Sequence, residues 1–239
     1  ACEVLRIAVR ERGGNAESEA RRARYGALER AARRRGLHFI ATAHQADDQL
    51  ESVLMGLLRG AGPRGLRGLA RRRTLGALRS DEVGAQAIRL VRPMLDCTRA
   101  DAERFCLESG LPWRLDATNM DRSRLRAGLR HGPLADLRAF RPAAAKRAAA
   151  TADLLRDVVG LLDERVEAVF GDALEWDRDT LRGERAIVVG EGLRCAALRL
   201  TGGRWADRLS HRAVAPAVRA IRDTSGEPRV FTLARRVRV

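Results

Sequence analysis

Along residues 37–60 the hydrophobic pattern changes period. The mostly apolar run LHFIATA (37–43) gives way to a segment in which Leu50, Val53, Leu54, Leu57 and Leu58 recur at spacings of three and four. The first pattern predicts a strand covered on both faces. The second predicts a helix with one apolar stripe. The alternation continues on either side. EVLRIAV (3–9) reads as a short strand, and after the turn RERGG a helix capped by Asn15 runs through AESEARRARYGALERAARRR to a stop at Gly36. Downstream, AIRLVRPML (87–95) reads as a strand closed by Pro93. Thr98, with Asp101 three residues on, forms a capping box that opens the helix RADAERFCLES, ended by Gly110. The intervening stretch RGAGPRGLRGLARRRTLG and the residues to about Gln86 read as irregular. Strands alternating with helices predict an α/β fold with a parallel sheet and crossover helices.

The segment PAAAKRAAATADLLRDVVGLLDERVEAVF (142–170) is one long helical pattern, and beyond it the texture turns to short elements. This places a boundary near residue 140. Residues 1–140 form the α/β domain, and residues 141–239 a linker helix with a small, mainly helical domain.

Charge narrows the class of partner. Lys plus Arg number 46 against 31 acidic residues, a net charge of +15, and almost all of the positive charge is arginine. The planar guanidinium fork suits phosphate. The excess favours a polyanion, nucleic acid first and an anionic membrane surface second; a genomic bias toward arginine codons produces the same excess. No stretch approaches the roughly 18 apolar residues of a membrane span. The start, ACEVLRIAVRERGG, lacks the form of a signal peptide. Cys2, Cys97, Cys106 and Cys195 include no CxxC pair and, with four histidines, no zinc pattern. The expectation is a cytoplasmic protein with free thiols and no membrane association.

The candidate chemistry sits where the strand at 37–43 meets the next helix. Asp47, Asp48 and Glu51 are spaced to share a helical face in its first turns. His44 precedes them at the carboxyl end of the strand, the edge where open α/β sheets bind ligands. Two readings remain open on geometry alone. The acids hold a substrate amine, or magnesium with nucleotide phosphates; alternatively, they only offset the helix dipole.

The wording of the stretch carries more. ATAHQADDQLESVLMGLLRGAGPRGLRGL resembles the PP-loop ATP pyrophosphatases that modify tRNA, specifically the tRNA(Ile)-lysidine synthetases, whose motif reads AHxxDDxxET, an apolar helix, then RGxGxxGL. His44, Asp47, Asp48, Glu51, Arg59, Gly60, Gly62 and Gly65 match, with Ser52 in place of threonine. EARRARYGAL is similar to the family's upstream AREARY helix through Arg21, Arg24 and Tyr25. The segment from Arg92 to Arg130 resembles a third block through Arg92, Pro93, Trp113, Asp116, Asn119, Asp121, Arg126 and Arg130. The resemblance covers about residues 1–140. Two departures stand out: no SGGxDS phosphate loop is present, which is expected to reflect a missing N-terminal unit, and Arg126-Ala127-Gly128 replaces the family's RNR.

The resemblance implies an adenine nucleotide α-hydrolase-like fold and ATP-dependent ligation of lysine to the wobble cytidine of tRNA(Ile) with a CAU anticodon. The ring oxygen is adenylated, pyrophosphate leaves, and the lysine side-chain amine then displaces AMP. It implies ATP and Mg2+ as co-substrate and metal. Asp47, Asp48 and Glu51 position magnesium, ATP or lysine, with Asp48 the metal ligand. His44, Asp47 and Arg24 lie against the nucleotide, and Arg126 and Arg130 face the reacting groups. The run Arg64, Arg67, Arg71, Arg72 and Arg73 is a candidate contact to the tRNA backbone, or else a solvated loop. Trp113 is read as core before base-stacking. A tRNA thiolase is disfavoured without a CxxC pair, and a tRNA-binding remnant without catalysis is the alternative.

Overall fold

The computed structural model describes residues 2–9, 16–75, 87–114, 125–202, 209–223, 230–234 and 237–238. In chain order the elements are α1 (Ala16–Arg34), β1 (Phe39–Ala41), α2 (Ala46–Leu58), α3 (Pro63–Leu66), β2 (Arg72–Leu75), β3 (Ile88–Val91), α4 (Arg99–Glu108), α5 (Leu125–His131), α6 (Pro133–Phe140), α7 (Ala144–Phe170), α8 (Arg178–Gly183), α9 (Ala186–Leu200), α10 (His211–Arg222), β4 (Thr232–Ala234) and β5 (Val237–Arg238). Expectations for Asn15, Asp116, Asn119 and Asp121, and for residues 76–86, fall outside the described residues, as does the side chain of Arg126.

The chain divides into two compact units. One comprises residues 1–50 and 69–149, the other 51–68 and 150–239. This differs from a single break near residue 140, because the segment after the start of α2 packs with the C-terminal helices.

In the first unit, β3 pairs with β1 in parallel, with Phe39 opposite Arg89, Ile40 opposite Leu90 and Ala41 opposite Val91. On its other side β3 pairs with β2 antiparallel. The sheet is therefore mixed, not parallel throughout. Strand β2 escapes the hydrophobic pattern because RRTL buries only Leu75, and charge on an edge strand discourages further pairing. Nor is β1 covered on both faces: Ile40 is buried while Phe39 stays exposed. Residues 3–9 form no strand; Val4, Ile7 and Val9 are exposed, and Glu3 instead pairs with Arg34 and Arg35 at the end of α1. An extended apolar run becomes a strand only where a neighbour completes its ladder, and no described strand pairs with this run. The core joins Tyr25, Leu28 and Ala32 of α1 to Ile40, Leu75, Ile88 and Leu90 of the sheet.

Local signals decide the helix ends. Gly36 and Gly110 have positive φ of 64° and 63° past α1 and α4, where only glycine avoids a Cβ penalty. Thr98 accepts from the Asp101 amide, and Asp101 accepts from the Thr98 amide at 2.9 Å. Together with Lys146 these contacts hold the Asp101 carboxyl well below the usual carboxylate range.

In the second unit, which also holds the β4–β5 pair, Val166 and Phe170 of α7, Leu181 of α8, Val188, Val189 and Leu193 of α9, and Val214 and Val218 of α10 share one core. Gly60, with φ 63°, ends α2. A Cβ at Gly62 would lie 2.1 Å from the His211 Nε2. Glu191 of α9 is fully buried and accepts from Arg64 and from Arg194 at 2.8 Å, with the His211 Nε2 3.0 Å from its other oxygen. Burial pushes its carboxyl up, but hydrogen bonds from Arg194 and Arg64 outweigh this and leave it below the usual range. That stabilisation is present at neutral pH and lost as pH falls through the lowered value.

Two substitutions test this account. Thr98→Ala is expected to cost about 1 kcal/mol in urea unfolding, with Thr98→Ser close to wild type. Glu191→Ala leaves Arg64 and Arg194 without their shared partner and is expected to cost about 3–5 kcal/mol.

Candidate functional site

The parallel pair β1–β3 sends two loops, residues 42–45 and 92–98, out of the same carboxyl edge. Backbone bonds hold them side by side: the Thr42 amide donates to the Val91 carbonyl at 3.0 Å and the Ala46 amide to the Cys97 carbonyl at 2.9 Å. Helix α2 starts inside this edge, so its first acids reach loop groups before they reach solvent.

The acids part company here. Asp48 accepts from the Gln45 amide at 2.8 Å, closing the first turn of α2 from the side-chain end. Its other oxygen lies 3.7 Å from Arg130 Nη2. Asp47 accepts from the Arg99 amide at 2.7 Å and from Arg138 Nη1 at 2.7 Å. Both Asp47 oxygens are thus bound, tying α2 to α4 and α6. Glu51, one turn further on, is buried.

Arg24, Tyr25, Leu28, Thr42, Ala43, His44 and Asp48 line a pocket of about 360 Å³. It brings together Arg24, His44 and Asp48, three residues singled out in two separate stretches of the sequence, with Thr42 an addition. The Thr42 hydroxyl lies 2.9 Å from His44 Nδ1 and sets the ring's orientation. Burial and the Arg92 charge push the His44 imidazole below its ordinary value, while Asp48 pulls it back. The ring is therefore neutral at pH 7, a hydrogen-bonding group rather than a cation.

Asp47 is absent from this lining and belongs instead to a second pocket of about 350 Å³ with Arg99, Glu103 and Arg138. Arg138 carries no motif. Its guanidinium also donates to the Leu134 carbonyl at 3.0 Å and the Arg130 carbonyl at 3.3 Å, and only tertiary packing reveals it. Trp113 is 44% exposed, not core.

The arginine run does not act as one row. Arg64 pairs with Asp163 and Glu191 inside the second unit. The Arg67 carbonyl accepts from Arg156 at 2.7 Å. Arg71 forms a two-pronged pair with Asp96 at 2.6 and 2.7 Å. Arg72 is exposed on β2, and the Arg73 guanidinium lies 5.2 Å from the Tyr25 ring centre.

A loop-lined pocket at the carboxyl edge of a parallel strand pair is the place where open α/β proteins bind their ligands. Comparison with known families narrows this: the PP-loop domain family matches residues 1–136. The chain belongs to the PP-loop family. It is 42% identical over 165 residues to a tRNA(Ile)-lysidine synthase of Salinispora arenicola, covering 68% of this chain and 46% of the relative. It is also 37% identical over 164 residues to the enzyme of that name from Nostoc sp., covering 68% and 45%. A third, from Streptomyces coelicolor, is 36% identical over 188 residues, covering 78% and 47%. The chain spans about half the length of these curated relatives. No described helix is long and apolar enough to cross a membrane.

The pocket's electrostatics are testable by NMR titration. His44 is expected to titrate below its ordinary value of about 6.5, and Asp48→Asn to lower it further by removing the charge that opposes the shift. The lowered value means stability is complete above about pH 6.5 and declines as pH falls through the window below it. His44→Gln is expected to flatten that slope in denaturation curves. A His44 that titrates above 6.5 would contradict the account.

Proposed function

We propose that this chain carries the nucleotide-handling part of a tRNA(Ile)-lysidine synthetase, which ligates lysine to the wobble cytidine of tRNA(Ile) with a CAU anticodon at the expense of ATP. The convergence of Arg24, His44 and Asp48 on one pocket supports this reading.

In this reading the nucleotide lies against the pocket. Arg24 binds phosphate, and the neutral His44, oriented by Thr42, hydrogen-bonds the nucleotide without adding charge. Asp48 is the one carboxylate lining the pocket and the candidate metal ligand. Among the described residues no group of three or more His, Cys, Asp or Glu side chains is placed to hold a metal. A magnesium ion carried on nucleotide phosphates needs only one or two protein carboxylates, so Asp48 fits it; when bound, the ion offsets charge at the α-phosphate. Asp47, with both oxygens occupied, positions the start of α2 over the edge, and Arg138 holds it there. Glu51, carried over from the motif, offers negative charge to the lysine ammonium. Arg130 and Arg126 belong to α5, and Arg130 stands within 3.7 Å of Asp48, the side from which a reacting base is presented. Arg67, Arg72 and Arg73 are the members of the arginine run proposed for the tRNA backbone, with Arg71 joining when released from Asp96 and Arg64 serving the fold.

The test is ATP-dependent transfer of labelled lysine to a CAU-anticodon tRNA transcript by the full-length gene product. Asp48→Asn is expected to lower the rate about 100-fold or more with the protein folded. If wild type binds the transcript yet transfers no lysine, catalysis fails and a tRNA-binding protein without it takes its place.

A further inference from the structure

Among the described residues, one cluster in the first unit gathers guanidiniums around a ring rather than around carboxylates. Arg21, Arg24 and Arg73 each place a guanidinium over the Tyr25 ring, at 5.5, 5.7 and 5.2 Å from its centre. They arrive from two elements, α1 and β2, and none makes an ion pair with a carboxylate among the described residues. Arg92 lies buried beside them and donates to the Ala70 carbonyl. Like charges this close repel, and the ring's negative face compensates each only in part. The side chains are therefore collected at a net cost that an anion would remove. Arg21 and Arg24 also act, with Arg92, to depress the His44 imidazole, so the positive field reaches the pocket.

We propose that Tyr25 is a positioning residue whose ring gathers Arg21, Arg24 and Arg73 into a single phosphate-binding platform at the mouth of the His44 pocket. This rests on reading that pocket as a nucleotide site and adds two arginines and their aromatic support to it. The spacing of three guanidiniums about one ring suits a ligand with neighbouring phosphates. Such phosphates come from the polyphosphate of a free nucleotide or from consecutive phosphodiesters of an RNA strand. Arg73 pays no part in the fold that its loss would expose, since it sits exposed on the edge strand β2.

The experiment measures binding of ATP and of a single-stranded RNA oligomer to the full-length gene product, across a salt series. Variants are Arg21→Gln, Arg73→Gln, Tyr25→Phe and Tyr25→Leu, each checked for folding by circular dichroism. Each arginine variant is expected to weaken its phosphate probe about tenfold. On RNA it should also reduce the slope of log K against log salt by about 0.7. Tyr25→Phe keeps the ring and should bind as wild type, whereas folded Tyr25→Leu should lose affinity for the same probe. If Tyr25→Leu does not fold, the two arginine variants decide. Weakening on ATP alone assigns the platform to the nucleotide, on RNA alone to the strand, and either supports it. Wild-type binding with both arginine variants unchanged overturns the platform and leaves the nucleotide pocket standing. A wild type that binds neither probe removes both.

Discussion

The register of β1 against β3 is the constraint on which the site depends. With Ala41 opposite Val91, the two strands end level, and the loops that follow leave the sheet as neighbours. The hydrogen bonds from Thr42 to Val91 and from Ala46 to Cys97 then carry the pairing two steps beyond the last strand residue. A slip of one residue would reverse the side on which each strand residue points, sending Ile40 out of the core and moving His44 away from the edge. The buried pair of Ile40 and Leu90 makes that slip costly, so core packing is what aims the imidazole.

The same edge explains why adjacent acids have separate duties. A helix that begins inside a loop cluster presents its first turn to backbone amides, and consecutive residues there point about 100° apart. Asp47 therefore meets the amide that opens α4, while Asp48 turns back to its own N-terminus and the pocket. Asp47 with both oxygens engaged offers little to a diffusible cation unless Arg138 releases it. Asp48 holds the Gln45 amide with one oxygen and has Arg130 near the other, on the side that lines the pocket.

Much of this was legible along the chain, and the failures have a common cause. Helices α1, α2, α4 and α7 announced themselves through stripes, caps and closing glycines, all of which are local. Arg24, Tyr25, His44 and Asp48 of the pocket stood out through motif resemblance and Thr42 did not, while Asp47 was expected beside them and lies in the neighbouring pocket. What escaped depends on partners far along the chain. Strand β2 exists because β3 offers an open edge, since RRTL has no strand pattern of its own. Residues 3–9 have the pattern and lack a described partner strand. Arg138 reaches Asp47 across 91 positions, a distance over which spacing rules say nothing.

Arginine content is a poor guide to where a polyanion binds, and the fate of individual guanidiniums is a better one. Arg64 is held by two carboxylates, Arg71 by Asp96, Arg138 by Asp47 and Arg165 by Glu184, while Arg178 caps carbonyls at the end of α10. A guanidinium so engaged must break a satisfied contact before it takes a phosphate, and for the buried pair at Glu191 that loss exceeds what one phosphate contact returns. The net charge of +15 already subtracts the acids in these pairs; pairing decides instead which guanidiniums are open to a phosphate. Among the described residues, three guanidiniums have aromatic rather than acidic company at Tyr25, which lines the pocket where the two parallel strands deliver their loops.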